Sequence, residues 1–379
     1  MPARQTLRQL QSLLAADPSL TPKFEAAKEV VRAFRRPAFY EVSQRCNLFC
    51  EGCYYFEGPT AFQPRNAPEV ETWRAFFEKE AKERKVSMAY FIGAEPSLEP
   101  ERLYAAKDFF TYGNIGTNGV VKIDKEIPFR ISISVWGDPA TDVKLRGADA
   151  FKKALANYGE DPRALVVYTL SAWNLEAARE VAVKCRDHGL PLTFNMYTPT
   201  APYLDKVDEG AKNDKAYFRL SKKGSTPCFD AESLVACRNT VRDLMDAFPE
   251  TIVYTDHYNA WATQAGSMFH VDEDTGIASN CGSRIIGTLK YMGADLNARD
   301  LKCCTPDVDC RDCRMYSAGW STRLQLLPAD VASAKSFQTW CDDISALGKI
   351  FVYRPETGAP SGQEGMASFD RLASFVSPS

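Results

Sequence analysis

Between residues 38 and 197 the sequence alternates between two kinds of segment. Short apolar runs at 38–43 (AFYEVS), 87–92, 113–117, 130–135, 165–170 and 192–197 read as strands. Helical stretches at 68–84, 100–109, 148–157 and 174–188 separate most of them. In the last of these, Leu175, Ala178, Val181, Ala182 and Cys185 share one face at helical spacing. Strands that alternate with helices form a parallel sheet joined by right-handed crossovers. Six such units predict an α/β fold, an open partial (β/α)6 TIM-like barrel smaller than the closed eight-unit form. In sheets of this kind chemistry sits at the carboxyl ends of the strands.

The rest of the chain is arranged around this core. Residues 1–36 read as helices, with Leu7, Leu10, Leu13 and Leu14 on one stripe and Thr21 capping a helix that starts at Pro22. The core takes 37–198, and the polar stretch 199–228 reads as a connection or lid. Residues 229–325 form a smaller cysteine-rich domain, containing a helix over 229–247, a strand at 251–254, a helix over 256–265 and a hairpin turning at Asp272–Gly276. A C-terminal segment, 326–379, ends in a loose Pro/Gly-rich tail from about 350.

Composition narrows the function. The 379 residues carry a net charge of −3, too acidic for a field that would hold nucleic acid. No apolar run is long enough to span a membrane, and the first twenty residues lack the apolar region of a secretory signal. Twelve cysteines in such a chain, eight of them in two tight groups, point to metal or redox chemistry in the cytosol rather than to disulfides.

The first group, Cys46, Cys50 and Cys53, has the spacing C-x3-C-x2-C and directly follows the first strand. Three thiolates can hold three irons of a cubane [4Fe–4S] cluster and leave the fourth iron open, whereas ordinary electron-transfer clusters use four cysteines. Zinc is the alternative. A closed zinc site takes four ligands, of which Cys50 and Cys53 would make a pair with Cys46 surplus. Two turns stand at the ends of the next strands: Gly93-Ala94-Glu95-Pro96 and Thr117-Asn118-Gly119. Glycine there allows unusual backbone angles and Pro96 fixes the exit. On the fourth strand, Ser132 and Ser134 point to one side. The second group is Cys281, Cys303, Cys304, Cys310 and Cys313. Cys310 and Cys313 form one chelating pair and Cys281 with Cys303, chosen over Cys304, the other. Four thiolates suit either zinc or a closed [4Fe–4S] cluster, and spacing does not separate the two. Cys185 and Cys237 read as core residues, Cys228 and Cys341 lack a motif, and His188, His257 and His270 are too scattered to chelate.

The triplet, the GAEP segment and the TNG turn together resemble the radical S-adenosylmethionine (radical SAM) superfamily. The resemblance covers residues 38–197, and more weakly the cysteine-rich 228–315, which resembles SPASM and twitch extensions. It implies a [4Fe–4S] cluster on Cys46, Cys50 and Cys53, with SAM chelated at the open iron. It also implies SAM contacts from Gly93, Glu95, Pro96, Thr117, Asn118, Ser132 and Ser134, with Asn195 near adenine. Many relatives carry an aromatic residue before the third cysteine. Here that residue is Gly52, and Tyr54, Tyr55 or Phe56 is expected to cover the adenine instead. The resemblance further implies cleavage of SAM to a 5′-deoxyadenosyl radical, a second Fe–S cluster on Cys281, Cys303, Cys310 and Cys313, and a flavodoxin- or ferredoxin-like electron donor. The substrate is a small molecule or a peptide. The 36 residues before the core are few for a separate peptide-recognition domain, which favours the small molecule. The reading in a different class is a non-catalytic zinc-binding protein.

Overall fold

In a computed structural model, residues 2–53, 55, 68–210, 220–285, 289–299 and 307–354 are described. Helices α1 (Pro2–Ala16) and α2 (Thr21–Ala33) lead into six parallel strands that stand side by side in chain order. These are β1 (Pro37–Ser43), β2 (Met88–Gly93), β3 (Gly113–Thr117), β4 (Arg130–Val135), β5 (Ala164–Leu170) and β6 (Leu192–Met196). Each lies within a residue of the span read from the sequence. The crossovers contain α3 (Val70–Lys82), α4 (Pro100–Lys107), α5 (Pro139–Arg146), α6 (Ala150–Tyr158) and α7 (Ala178–Asp187). Among them α5 is the helix that sequence periodicity missed.

The pleat sends alternate side chains to opposite faces. On the outer face of β1, Tyr40 packs its ring among Phe76, Phe77, Phe91 and Phe110 and donates to the Glu80 carboxylate at 2.8 Å. This aromatic layer buries the helices against the sheet. The inner face is apolar at the strands' amino ends, where Phe39 stacks on Tyr90 at 4.6 Å. It becomes polar toward the carboxyl ends, where register sets Gly116 beside Ser132, Ser134 beside Val167, and Thr169 beside Asn195.

Further backbone pairs with both outer strands of the six-stranded parallel set, 251–253 with β6 and a hairpin with β1. After β6 come α8 (Ala201–Glu209) and α9 (Ala231–Ala247). Residues 251–253 then run beside β6, with Leu192 N donating to Thr251 O and Val253 N to Leu192 O, each at 2.8 Å. Following α10 (Asp256–Ala262), the turn at Asp272–Gly276 closes on itself, and Val271 pairs with Ala278. A four-residue helix α11 (Gly282–Ile285) precedes the hairpin β7 (Lys290–Met292) and β8 (Ala298–Arg299). β7 pairs in parallel with β1, so the cysteine-rich stretch continues the core sheet and is not joined to it by a linker alone.

Two C-terminal helices, α12 (Tyr316–Arg323) and α13 (Ala334–Phe351), fall where the sequence reading placed no helix. Ser333 caps α13 by accepting from Ser336 N at 3.1 Å, and Phe337, Trp340, Ile344, Leu347 and Ile350 form its buried stripe. It lies so close to α2 that a Cβ on Gly348 would come within 2.7 Å of the Val30 side chain. Its last turn is held by Arg130, which donates to the carbonyls of Lys349, Ile350, Pro162 and Arg163. Burial lowers the pKa of this arginine to about 10. Arg130 begins β4, so α13 closes the amino end of the half-barrel and the carboxyl end stays open. Among the described residues no helix is long and apolar enough to cross a membrane.

Candidate functional site at the carboxyl end of the barrel

A cavity of about 310 Å³ opens at the carboxyl ends of the strands. Cys46, Cys50 and Cys53 line one side, and Gly116, Ser132, Ser134, Thr169 and Asn195 rise from the sheet on the other. Ser132 is fixed by a bond from the Asn114 amide at 3.0 Å. At Gly116 a Cβ would meet nothing within 4 Å, so this residue keeps the floor of the cavity open.

Nitrogen donors approach two of the three sulfurs. Leu48 N lies 3.4 Å from Cys46 Sγ and the Asn118 amide 3.8 Å from it, while Arg146 Nε lies 3.5 Å from Cys50 Sγ. Such donors favour thiolates and tune whatever metal they hold. Burial pushes the Cys46 thiol up to about 11, with the Leu48 N–H pulling the other way. Arg146 is fully buried, donates to the Ser134 carbonyl and pairs with Asp142 at 3.7 Å. Burial opposes its charge, but Cys50 and Asp142 outweigh that and hold its pKa above the ordinary value. Burial raises the Asp142 carboxyl, against the pull of Arg146 and of the Trp136 and Phe151 N–H groups it accepts. Among the described residues no three His, Cys, Asp or Glu side chains converge as one metal ion would need. The donor set, three thiols on one cavity wall with N–H groups aimed at sulfur, fits a cluster.

The GAEP turn is built around Gly93 and Glu95. Gly93 has φ +139°, and a Cβ there would lie 2.2 Å from the Ser43 carbonyl, so only glycine lets β2 end against β1 in this way. Glu95 is 1% exposed and its carboxylate is shared among four donors. Ser97 N (3.0 Å), Ser97 Oγ (2.6 Å) and Thr117 Oγ1 (2.6 Å) reach one oxygen, and Asn118 N (2.7 Å) the other. Glu95 therefore locks the turn after β2 to the turn after β3. Pro96 opens the short helical turn behind it.

Gly52 explains the missing aromatic residue. It has φ +58°, and a Cβ would lie 2.5 Å from Tyr197 Oη and 2.8 Å from the Tyr203 ring. Tyr197, at the end of β6, lines the cavity and holds the space that a side chain at 52 would take. Tyr55 also lines the cavity, donating to the Glu41 carboxylate, whereas Tyr54 and Phe56 lie outside the described residues.

No protein-family model matches the chain, and no curated protein is similar to it in sequence. Among solved structures, Streptococcus suis SuiB bound to S-adenosylmethionine superposes with a TM-score of 0.50 at 16% identity, over 71% of this chain and 60% of SuiB. The chain shares the α/β fold of SuiB. It spans about 60% of the length of SuiB. Native anSMEcpe with bound AdoMet is a weaker likeness, with a TM-score of 0.45 at 14% identity over 75% of this chain and 80% of that one.

Within this fold, the structure puts Gly93, Glu95, Thr117, Asn118, Ser132, Ser134 and Asn195 on one cavity with the cysteine triplet. Asn195 Oδ1 accepts from Tyr316 N at 3.0 Å, so the side chain also ties β6 to α12. Sequence reasoning missed Arg146, Gly116, Thr169 and Tyr197. Arg146 had a signal: Asp138-Pro139 and Gly147 bracket α5 as a cap, a first-turn proline and a left-handed stop.

In the second cysteine group, Cys281 and Cys313 are buried in the core, while Cys310 is half-buried. Cys303 and Cys304 lie outside the described residues. Gly282 presses on α12, where a Cβ would sit 2.3 Å from the Ser321 backbone, which fixes Cys281 against that helix. Of the histidines, His257 lies 2.7 Å from the buried Asp343 and away from the cavity.

Proposed function

We propose that this protein is a radical SAM enzyme. The observation that carries the reading is the placement of Cys46, Cys50 and Cys53 on one wall of a cavity at the carboxyl mouth of a six-stranded parallel half-barrel, with N–H donors turned toward sulfur. When bound, a [4Fe–4S] cluster and SAM supply a 5′-deoxyadenosyl radical that takes a hydrogen atom from the substrate or adds to it.

The chain's own residues bind, orient and shield. Cys46, Cys50 and Cys53 would hold the cluster. Leu48 N, Asn118 and Arg146 stabilise charge on the sulfurs. The backbone of Gly93 to Pro96, set by the Glu95 lock, offers polar groups to the amino acid end of SAM. Thr117, Asn118, Ser132 and Ser134 would supply further polar contacts, and Arg146 is a cation on the cavity wall. Asn195 and the aromatic Tyr197 line the same cavity and would meet the nucleotide. Gly116 gives the ligand room. The walls exclude water from a reactive carbon radical.

Cys281, Cys310 and Cys313, with Cys303, are assigned to a second Fe–S cluster that takes an electron from the substrate or braces the fold. A Cys310→Ala variant separates these roles: retained SAM cleavage with lost product marks electron transfer, and loss of folding marks a brace. The substrate is a small molecule or a peptide, and the electron donor a flavodoxin- or ferredoxin-like protein.

The deciding experiment is anaerobic purification followed by reduction with SAM. A brown protein with iron and sulfide that releases 5′-deoxyadenosine, and loses this on changing Cys46, Cys50 or Cys53 to Ala, supports the reading. A colourless, zinc-rich protein with no cleavage overturns it in favour of the binding protein.

A further inference from the structure

Glu51 stands in the loop between Cys50 and Cys53, and it is 0% exposed. Its carboxylate is turned onto a separate piece of chain. Oε2 accepts from Leu220 N at 3.0 Å and Oε1 from Ser221 N at 3.2 Å. Its own N–H donates to Leu145 O in α5 at 2.7 Å. Residue 51 therefore joins the cysteine loop to two other segments, one through its backbone and one through its side chain.

Residues 220–228 form a strap held at both ends. Its shape comes from a tight turn in which Lys222 N donates to Ser225 O at 3.1 Å and Ser225 N to Lys222 O at 2.8 Å. The far end is fixed by Ala172 N, which donates to Pro227 O at 3.1 Å. The near end is fixed by Glu51 and by Tyr203, whose hydroxyl meets Ser221 Oγ. The Tyr203 ring is also the one that a Cβ on Gly52 would strike. Tyr203 belongs to a small apolar cluster apart from the main core, and Cys228 packs against that cluster at the other end of the strap. Two consecutive loop residues, Glu51 and Gly52, thus meet the strap and the tyrosine that supports it.

Taking a charge out of water is costly, and an apolar residue of similar volume often packs as well. What the charge adds here is register. Two N–H groups at a set spacing find one oxygen each, so the loop and the strap fit together in one way. We propose that Glu51 is a positioning residue for the cysteine-held centre, latching the strap to the loop so that Cys50 and Cys53 keep the spacing a cluster needs. The inference rests on the function proposed above, because it concerns how the chain holds that cluster. Cys50 precedes Glu51 by one residue and Cys53 follows it by two, and Cys53 N donates to Cys50 O at 3.3 Å across the turn between them. A displacement of residue 51 therefore moves both ligands.

The test follows two readouts in the parent, in Glu51→Ala and in Glu51→Gln. Asp343→Asn, which alters a buried carboxylate on α13, controls for general loosening. In the metal-free proteins, amide exchange is measured by mass spectrometry on the peptide that contains Leu220 and Ser221. In the reconstituted proteins, the rate of iron loss to excess chelator is measured without oxygen. Glu51→Ala is expected to speed both by about tenfold or more, and Glu51→Gln, which keeps one acceptor oxygen, by less. Asp343→Asn stays near the parent in both. Parent-like exchange or parent-like iron loss in Glu51→Ala overturns the proposal. So does an equal acceleration in Asp343→Asn, which would make the effect one of overall stability. Should Glu51→Ala fail to fold, Glu51→Gln carries the same comparison. A parent that takes up no iron and sulfide would instead sink the proposed function, and this role of Glu51 with it, whatever the exchange shows.

Discussion

Arg146 sets its Nε 3.5 Å from the Cys50 sulfur while its guanidinium also pairs with Asp142 at 3.7 Å, and both members of that ion pair are buried. One cation thus serves a cysteine of the loop, the Ser134 carbonyl on β4 and the carboxylate that receives the Trp136 and Phe151 N–H groups. Removing it leaves a buried carboxylate without its counter-charge. An Arg146→Met variant is expected to lose about 3–5 kcal/mol of stability by denaturant titration. It should also hold less iron after reconstitution than the parent does. Arg146→Lys keeps the charge but not the fork, and should restore stability more than it restores iron content.

Glu95 is a lock between two turns rather than a free carboxylate facing the cavity. Glu95→Gln replaces one acceptor oxygen by a donor among Ser97, Thr117 and Asn118, which already donate. The expected cost is about 2–3 kcal/mol, since bonds to a charged group are the stronger kind. SAM affinity, read by equilibrium dialysis, should fall as well, because the GAEP backbone loses its brace. Unchanged stability would show that the four-donor arrangement is not formed in solution.

Gly52→Ala brings a methyl group within 2.5 Å of Tyr197 Oη at a positive φ. The strain is about 1–3 kcal/mol and falls on the loop that carries the triplet. Far-UV circular dichroism should stay as in the parent while iron loading drops. Adding Tyr197→Phe removes the nearest clashing atom and should recover part of the iron. Equal loading of parent and Gly52→Ala would mean that the loop does not sit against Tyr197.

The Cys46 thiol, raised by burial from 9.0 to about 11, gives a pH dependence whose sign is fixed. A group whose pKa is higher in the folded state stabilises the fold below its unfolded value, and that contribution is lost as pH climbs through the folded one. The metal-free protein should therefore lose stability between pH 9 and about 11. Its Cys46 should be alkylated slowly at pH 8, faster by about tenfold per unit until the folded pKa is reached. Rapid alkylation of Cys46 at pH 8, identified by peptide mapping, would contradict this.

What the sequence disclosed follows from the range of the interactions involved. The six strands were legible because each is a local pattern, and the turns at Gly93 and Gly119 because glycine is required there by backbone angle alone. Ser132 and Ser134 were placed on one face by the two-residue period of a strand, and they do share the cavity wall. The β7–β8 hairpin was not legible: strands of three and two residues carry too little pattern, and their pairing with β1 spans some 250 residues of chain. Tyr197 escaped for a similar reason. Nothing near residue 197 says that residue 52 will be a glycine pressed against it, and only the fold brings the two together.

Gly116 provides the sharpest separation of cavity shape from stability. Its Cβ position is empty to 4 Å and faces the space between the cysteine loop and the sheet. Gly116→Ala should be neutral or slightly stabilising, because the added methyl clashes with nothing and the unfolded chain loses freedom. Gly116→Leu should fold with a denaturation midpoint near the parent's, yet fill part of a cavity of only about 310 Å³. Its SAM affinity is expected to fall by about 100-fold, corresponding to roughly 2.7 kcal/mol of lost or strained contact, while iron and sulfide content stay at the parent level. Normal SAM binding in Gly116→Leu would show that the nucleotide lies elsewhere, and a collapse of iron content along with it would show that the residue supports the cysteine loop instead of the ligand space.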